Sequence, residues 1–422
     1  MNEKNTVSQG RLPENLENAS TNEVSTMVVN CASIPVSDTL SDTMLGKVSC
    51  PLSGTISDKI SDTVSCAVSD KISDTVSDKI SDTVSDKVSD TVLEIKSLTK
   101  KFSLESGFFA RKDRFVYALN DVSFEIERGK TYGLVGESGC GKSTTAKILA
   151  GMYRPDSGKI IFNGKILSCG TGGTGGTVGS EGTEGSIGSA SGTSSDFSKI
   201  KYIFQDPARS LNPRMTVFSI LTDGLKHSKK GIKKEELRTL AGQIMEEVGL
   251  DRADLDRRPS EFSGGQRQRI SIARGLLMEP ELLICDEVVS ALDVSIQGQI
   301  LNLLQDIRSK RNLTILFIAH DLRVSCYFCD RIGVMYRGVL VEEGRASDFY
   351  KTAMHPYSKL LFAGSEGGKE ASKAEGEVKT SLSGVPCCPF AHRCPKKTEK
   401  CLEKLPDWTT LEAGHKVRCF CL

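Results

Sequence analysis

Eight consecutive residues carry the most legible chemistry in this chain. Gly136-Glu137-Ser138-Gly139-Cys140-Gly141-Lys142-Ser143 fits the spacing G-x-x-x-x-G-K-S/T of a phosphate-binding loop. Glycines at 136, 139 and 141 let the backbone turn its N–H groups inward around phosphate oxygens, and a helix N-terminus behind them adds partial positive charge. In such a loop Lys142 reaches the outer phosphates and the Ser143 hydroxyl ligates Mg2+. A chance glycine-rich turn is the plain alternative. It is disfavoured because Thr131–Val135 reads as a short buried strand just before the loop, and Ser143–Leu149 as the first turns of a helix just after it. Further on, Leu282-Leu283-Ile284-Cys285-Asp286-Glu287 is an apolar strand that emerges into two adjacent carboxylates. A strand buried on both faces ends in paired charge mainly to bind something at its carboxyl edge. Beside a phosphate loop, Asp286 suits Mg2+ and Glu287 suits polarising an attacking water.

The rest of the chain must position these groups. Alternating short strands and helices follow from Leu93 onward: strands at Leu93–Leu98, Val122–Ile126, Lys159–Phe162, Ile200–Phe204, Glu281–Cys285 and Leu313–Ile318, and helices at Lys234–Val248, Ser263–Met278 and Val294–Arg308. That order implies an α/β fold with a mostly parallel sheet and helices on its faces. Before it, residues 1–92 are polar, and from Ser37 to Val92 a unit S-D-T/K-V/I/L recurs. Ser, Asp and Thr favour caps and turns, and so narrow an apolar stripe buries too little to offset ordering entropy, so disorder is expected there. Residues 168–197 form a Gly/Ser/Thr-rich stretch that reads as a flexible surface insertion, and 365–380 a charged linker.

Composition narrows the function classes. The chain has 422 residues, a formal net charge of +1, 38% hydrophobic and 26% charged residues. Near-neutral charge argues against a general binder of nucleic acid or anionic membranes. No stretch approaches the apolar length that spans a bilayer, and the N-terminus lacks the apolar core of a secretory signal, so a cytoplasmic location is expected. Six of the fourteen cysteines fall near the C-terminus: Cys387, Cys388, Cys394, Cys401, Cys419 and Cys421. In a cytosolic chain such a cluster suits a metal better than a disulfide framework.

Glu261-Phe262-Ser263-Gly264-Gly265-Gln266-Arg267-Gln268-Arg269 resembles the signature sequence of ATP-binding-cassette (ABC) ATPases, and stands shortly before the acidic strand. Other motifs of that family appear in order: Gln205 for the Q-loop, Ser290-Ala291-Leu292-Asp293 for the D-loop, His320 for the switch histidine, and Phe102 for the aromatic stacked on adenine. The resemblance covers about 93–165 and 198–360. It implies a P-loop ATPase of the ABC type over 93–364, with an antiparallel β subdomain and a helical subdomain at about 206–278. It also implies a head-to-tail dimer with ATP held between chains. One chain would supply Gly136, Glu137, Ser138, Gly139, Cys140, Gly141, Lys142, Ser143, Thr144, Gln205, Asp286, Glu287 and His320. The other would supply Ser263, Gly264, Gly265, Gln266 and Asp293. Glu287 is then the catalytic base, His320 positions water and γ-phosphate, and Ser143, Gln205 and Asp286 hold Mg2+.

Phe204-Gln205-Asp206-Pro207-Ala208-Arg209-Ser210-Leu211-Asn212-Pro213-Arg214-Met215-Thr216, with His355-Pro356-Tyr357-Ser358, resembles the dipeptide/oligopeptide/nickel branch of cassette importers, and most of all its second ATPase subunit. The resemblance implies a paralogous ATPase partner, two integral membrane permease subunits, an extracytoplasmic solute-binding protein, no nucleic acid, and a peripheral place on the cytoplasmic face of the cell membrane. Residues 205–220 would transmit motion to the membrane subunits. Within 381–422, Cys388, Cys394, Cys401 and Cys419 resemble that branch's C-terminal cysteine motif, associated with a 4Fe-4S cluster. Four thiolates suit either an iron–sulfur cluster or tetrahedral Zn2+, which spacing alone does not separate; the C-x2-C pairs of zinc ribbons are missing, iron–sulfur is favoured over zinc, and free thiols are a third option. The expected function is an ATPase energising import of oligopeptides or dipeptides. A nickel or other small-solute importer, and a soluble cassette ATPase not tied to transport, are the alternatives.

Overall fold

The structure, a computed structural model, describes residues 90–103, 115–169, 197–228, 231–365, 387–411 and 414–422. The expectations for the N-terminal repeat, for most of the glycine-rich insertion and for the charged linker lie outside the described residues.

Strands β1 (Thr91–Ser103) and β2 (Phe115–Glu127) precede β3 (Thr131–Val135), which runs through the glycine loop into α1 (Lys142–Leu149). Then come β4 (Ser157–Phe162), β5 (Lys165–Cys169) and β6 (Ile200–Ile203). Helices α2 (Pro207–Ser210), α3 (Val217–Ser228), α4 (Lys234–Glu247) and α5 (Gly264–Leu276) follow in succession. The chain returns to the sheet through β7 (Leu282–Asp286), α6 (Val294–Arg311), β8 (Thr314–Ala319), α7 (Leu322–Phe328), β9 (Arg331–Tyr336) and β10 (Val339–Arg345). Helices α8 (Ala346–Thr352) and α9 (Pro356–Ser365) close that part, and the C-terminal segment adds α10 (Lys400–Glu403), β11 (Thr409–Thr410) and β12 (Lys416–Val417).

Two sheets result among the described residues. An antiparallel one has the order β2-β1-β4-β5, and a mixed one the order β11-β12-β10-β9-β3-β8-β7-β6. The central strands β3, β7 and β8 are buried at every position, which is why they read as continuous apolar runs rather than alternating ones. Their side chains nonetheless alternate between two cores. Leu282, Ile284, Leu316 and Ile318 pack with α1 and the antiparallel sheet. Leu283, Cys285, Ile315 and Phe317 pack on the other side with residues of α3, α4, α5 and α6. The expected α/β cassette architecture is present, and the helices at 207–276 fall within the span expected for a helical subdomain.

Boundaries move in ways that local chemistry explains. β1 and β2 outrun their expected cores because antiparallel pairing continues outward to Ser103 and Phe115, despite several register shifts. β5 runs to Cys169, two residues into the stretch read as insertion. The β9–β10 hairpin was missed, although its turn residues Arg337 and Gly338, both at positive φ (46° and 77°), make the two-residue connection that antiparallel strands favour. β11 and β12 extend the main sheet through β10, and the Arg418 amide donates to the Val341 carbonyl at 2.8 Å. No helix among the described residues is long and apolar enough to cross a membrane.

Candidate active site

Parallel register brings the site together. Val135 pairs with Ala319 and Asp286 with Ile318, so β3, β8 and β7 end side by side and release the phosphate loop, His320 and the acidic pair at one edge. In the loop, Gly141 has φ 113° and serves as N-cap of α1, and a Cβ there would lie 2.4 Å from the Ala118 carbonyl oxygen. At Gly136 a Cβ would meet the Met335 carbonyl oxygen at 2.1 Å. Both glycines are therefore demanded by close approach. The β9–β10 turn buttresses the loop, its Gly338 amide donating to the Cys140 carbonyl at 2.7 Å.

Lys142 is buried, and its Nζ donates to the carbonyls of Gly136 at 2.7 Å and Glu137 at 2.9 Å. An ammonium inside a cradle of backbone groups at a helix start fits a polyphosphate well. Ser143 Oγ donates to Asp286 Oδ1 at 3.1 Å, and Asp286 is itself buried. A hydroxyl and a carboxylate so paired fit the oxygen ligands that Mg2+ prefers. Gln205 Nε2 donates to Glu287 Oε2 at 2.6 Å, joining the Q-loop residue to the expected base. Glu287 sits at φ 48°, a left-handed conformation rare for a non-glycine residue, and its amide donates to the Ile318 carbonyl at 3.0 Å.

One member of this cluster was not foreseen. The Tyr202 hydroxyl donates to Asp286 Oδ2, so the carboxylate is held by Ser143 on one oxygen and Tyr202 on the other. Burial and the Asp286 carboxylate push the Tyr202 phenol well above its ordinary value, which keeps it a donor. Tyr202 pairs with Ile284 in the parallel ladder, so period-two alternation puts it on the face where Asp286 emerges. A hydroxyl-bearing residue inside the apolar strand before Gln205 was the available signal.

Other expected residues stand apart from this cluster. Ser263 is exposed and caps α5: its Oγ accepts from the Gln266 amide at 3.3 Å, while Gln266 Oε1 accepts from the Ser263 amide at 2.9 Å. Gly265 packs so closely on α6 that a Cβ would lie 2.7 Å from Ile296 Cγ2. Asp293 and His320 are exposed. Phe102 is 37% exposed and meets the Tyr153 ring edge-on at 5.7 Å between centroids, leaving part of it open to a stacking partner.

The metal centre expected in the tail finds no support in the placement of its side chains. Cys388, Cys394, Cys401 and Cys419 are near neighbours, and burial pushes the Cys388 thiol up to about 12, with Cys401, Cys419 and Cys394 adding to the shift. Yet no group of three or more His, Cys, Asp or Glu side chains among the described residues is placed to hold a metal ion. Three tail sulfurs take part in hydrogen bonds. Cys401 Sγ accepts from the Thr398 amide at 3.5 Å, Cys419 Sγ from the Cys421 amide at 3.3 Å, and Cys421 Sγ donates to the Lys396 carbonyl at 2.9 Å.

Comparison with known proteins agrees with the fold. The ABC transporter family matches residues 119–290, and the oligopeptide/dipeptide transporter C-terminal region matches residues 341–401. The chain is 37% identical over 334 residues to the oligopeptide transport ATP-binding protein AppF of Bacillus subtilis, covering 78% of this chain and 96% of that protein. It is 43% identical over 277 residues to OppF of the same organism, described likewise as an oligopeptide transport ATP-binding protein (64% and 81% covered). It is 37% identical over 333 residues to the dipeptide transport ATP-binding protein DppF of Escherichia coli (78% and 93%). Among solved structures it is similar to cbiO1 from Clostridium perfringens, part of the ABC transporter complex cbiONQ. The TM-score there is 0.50 and the identity 23%, over 65% of this chain and 94% of that one. An ATP-binding cassette of an ABC transporter in its ADP conformation gives a TM-score of 0.50 at 24% identity, over 65% and 99%. These two likenesses speak to fold alone. The identities over nearly full relatives lead to one conclusion: the chain belongs to the ATP-binding proteins of ABC transporters, in the oligopeptide/dipeptide family.

Proposed function

We propose that this chain is the ATP-binding and ATP-hydrolysing subunit that energises an importer of oligopeptides or dipeptides. The observation that carries the reading is an intact hydrolytic cluster in a chain 37% identical to an oligopeptide transport ATP-binding protein across 96% of that protein. Lys142 and the loop amides bind the phosphates, Phe102 stacks on the base, and Ser143 with Asp286 and Gln205 would hold Mg2+. When bound, that ion neutralises charge on the β- and γ-phosphates. Tyr202 orients Asp286. Glu287 takes a proton from the attacking water, and His320 steadies the γ-phosphate. Gln205, hydrogen-bonded to Glu287 at 2.6 Å, releases the base as the site closes. Ser263, which is exposed, with Gly264, Gly265, Gln266 and Asp293, completes the site of a second cassette, because a helix opening at Ser-Gly-Gly offers free amides to the γ-phosphate.

The partners that follow are a paralogous ATPase, two membrane permeases and an extracytoplasmic solute-binding protein, with this chain at the cytoplasmic face of the membrane. Residues 205–220 carry the motion to the permeases. The tail thiols Cys388, Cys394, Cys401 and Cys419, by their resemblance to the branch's cysteine motif, would hold a 4Fe-4S cluster, or Zn2+, after turning toward a common centre; anaerobic purification with iron, sulfide and zinc analysis tests it. For the main proposal, the test is recovery of the tagged chain from solubilised membranes. A second ATPase, two polytopic proteins and a bound peptide are expected. Ribosomes or nucleic acid in their place would contradict transport, and a captured nickel ion would replace the peptide.

A further inference from the structure

The phosphate loop is gripped from outside by the C-terminal segment. Arg393, next to Cys394 in the tail, donates from Nη1 to both carboxylate oxygens of Glu137, at 3.0 and 2.9 Å, and to the Tyr336 hydroxyl at 3.4 Å. Glu137 is the second residue of the loop. Its amide donates to the Tyr357 hydroxyl at 2.8 Å, and its carbonyl accepts from Lys142 Nζ at 2.9 Å. Amide, carbonyl and side chain of one loop residue are thus all held. The grip is built on rings: Tyr336, Tyr357 and Phe390 meet with centroids 4.6, 5.3 and 5.4 Å apart, and the Arg393 guanidinium lies 5.8 Å from both the Tyr336 and Phe390 centroids. The ion pair is largely shielded, with the Arg393 side chain 16% and that of Glu137 33% exposed.

A carboxylate inside a loop that receives triphosphate repels its own ligand unless its charge is compensated. Arg393 supplies that compensation and fixes the Glu137 side chain, while Tyr357 holds its amide. We propose that Arg393 is a positioning residue for nucleotide binding, so that the docked tail sets the affinity of the phosphate loop for ATP. The inference rests on the ATPase reading and adds to it a part for the C-terminal segment.

The test is equilibrium binding of a fluorescent ATP analogue with Mg2+ to the full chain, at low and high salt. Arg393→Ala should weaken binding about tenfold, more at low salt, while the unfolding temperature without nucleotide stays close to that of the parent. Adding Glu137→Gln to Arg393→Ala should restore most of the affinity, because the uncompensated charge is gone. A purely structural arginine predicts no such rescue. Should Arg393→Ala fail to fold, Arg393→Met keeps the stem between the rings and reads the same quantity. Affinity within twofold of the parent in the arginine variant, or a double variant no tighter than the single one, overturns the proposal. A parent chain that binds no nucleotide at all would instead sink the ATPase reading beneath it.

Discussion

Around the phosphate loop, Lys142, Ser143, Asp286, Tyr202, Gln205 and Glu287 are joined by hydrogen bonds inside the chain, whereas Ser263, Asp293 and His320 face solvent. The first group hangs from the ends of buried parallel strands, where register fixes every position. The second lies on a helix cap and loops, and Val294 beside Asp293 is 84% exposed. A bonded half is preorganised for phosphate and Mg2+ without help. On the proposed function, the contrast separates the residues that bind nucleotide within one chain from Ser263 and Asp293, which serve the site of a second cassette.

That contrast can be broken at either end. Glu287→Gln keeps the shape of the bonded half and removes the base, so phosphate release should fall by about 10²–10⁴ while ATP binding persists. Unchanged turnover would take Glu287 out of its role. Ser263→Asp keeps a good N-cap on α5 but points a carboxylate at the incoming γ-phosphate. Turnover of the paired enzyme should drop about a hundredfold, with unfolding temperature and single-chain ATP binding unaltered; a loss of binding would place Ser263 in the wrong half. Tyr202→Phe deletes one of the two hydroxyls holding Asp286, and the Mg2+ concentration for half-maximal activity should rise about tenfold. An unshifted Mg2+ curve would reduce Tyr202 to packing.

The smallest effect concerns the support beneath the bonded half. His355 Nδ1 accepts from the Tyr357 amide at 3.1 Å, and burial holds the imidazole down at about 4, below its ordinary value, with Glu342 opposing the shift. The unfolded chain therefore binds more protons than the folded one between pH 6.5 and pH 4, and stability from this group falls as pH drops through that window. The slope contributed is at most about 1.4 kcal/mol per pH unit. His355→Asn retains an N-cap acceptor and removes the titration, so its unfolding free energy should vary less with pH over that window; equal slopes would remove His355 from the account.

Much of this was readable beforehand because its causes are local. A glycine-rich loop between a buried strand and a helix, and an apolar strand ending in Asp286-Glu287, state their geometry through short-range rules. Tyr202 escaped because its role depends on which strand lies beside β6, a long-range pairing that periodicity does not carry. The grip of Arg393 on Glu137 joins residues far apart in sequence, and nothing in either neighbourhood announces the other. The tail strands were missed because two-residue pairings such as Glu342 with Val417 leave no periodic trace. The metal expected at four cysteines came from residue type and resemblance, and no group of three or more such side chains among the described residues is placed to hold it.

The most direct test of the half-site account is ATP turnover per chain as a function of protein concentration, alone and with the membrane companions added. The account predicts low turnover in dilute solution that rises steeply as cassettes pair or companions are supplied, and that vanishes when the partner's signature serine is changed to Asp. Turnover per chain that stays constant at every concentration and ignores the companions would contradict it.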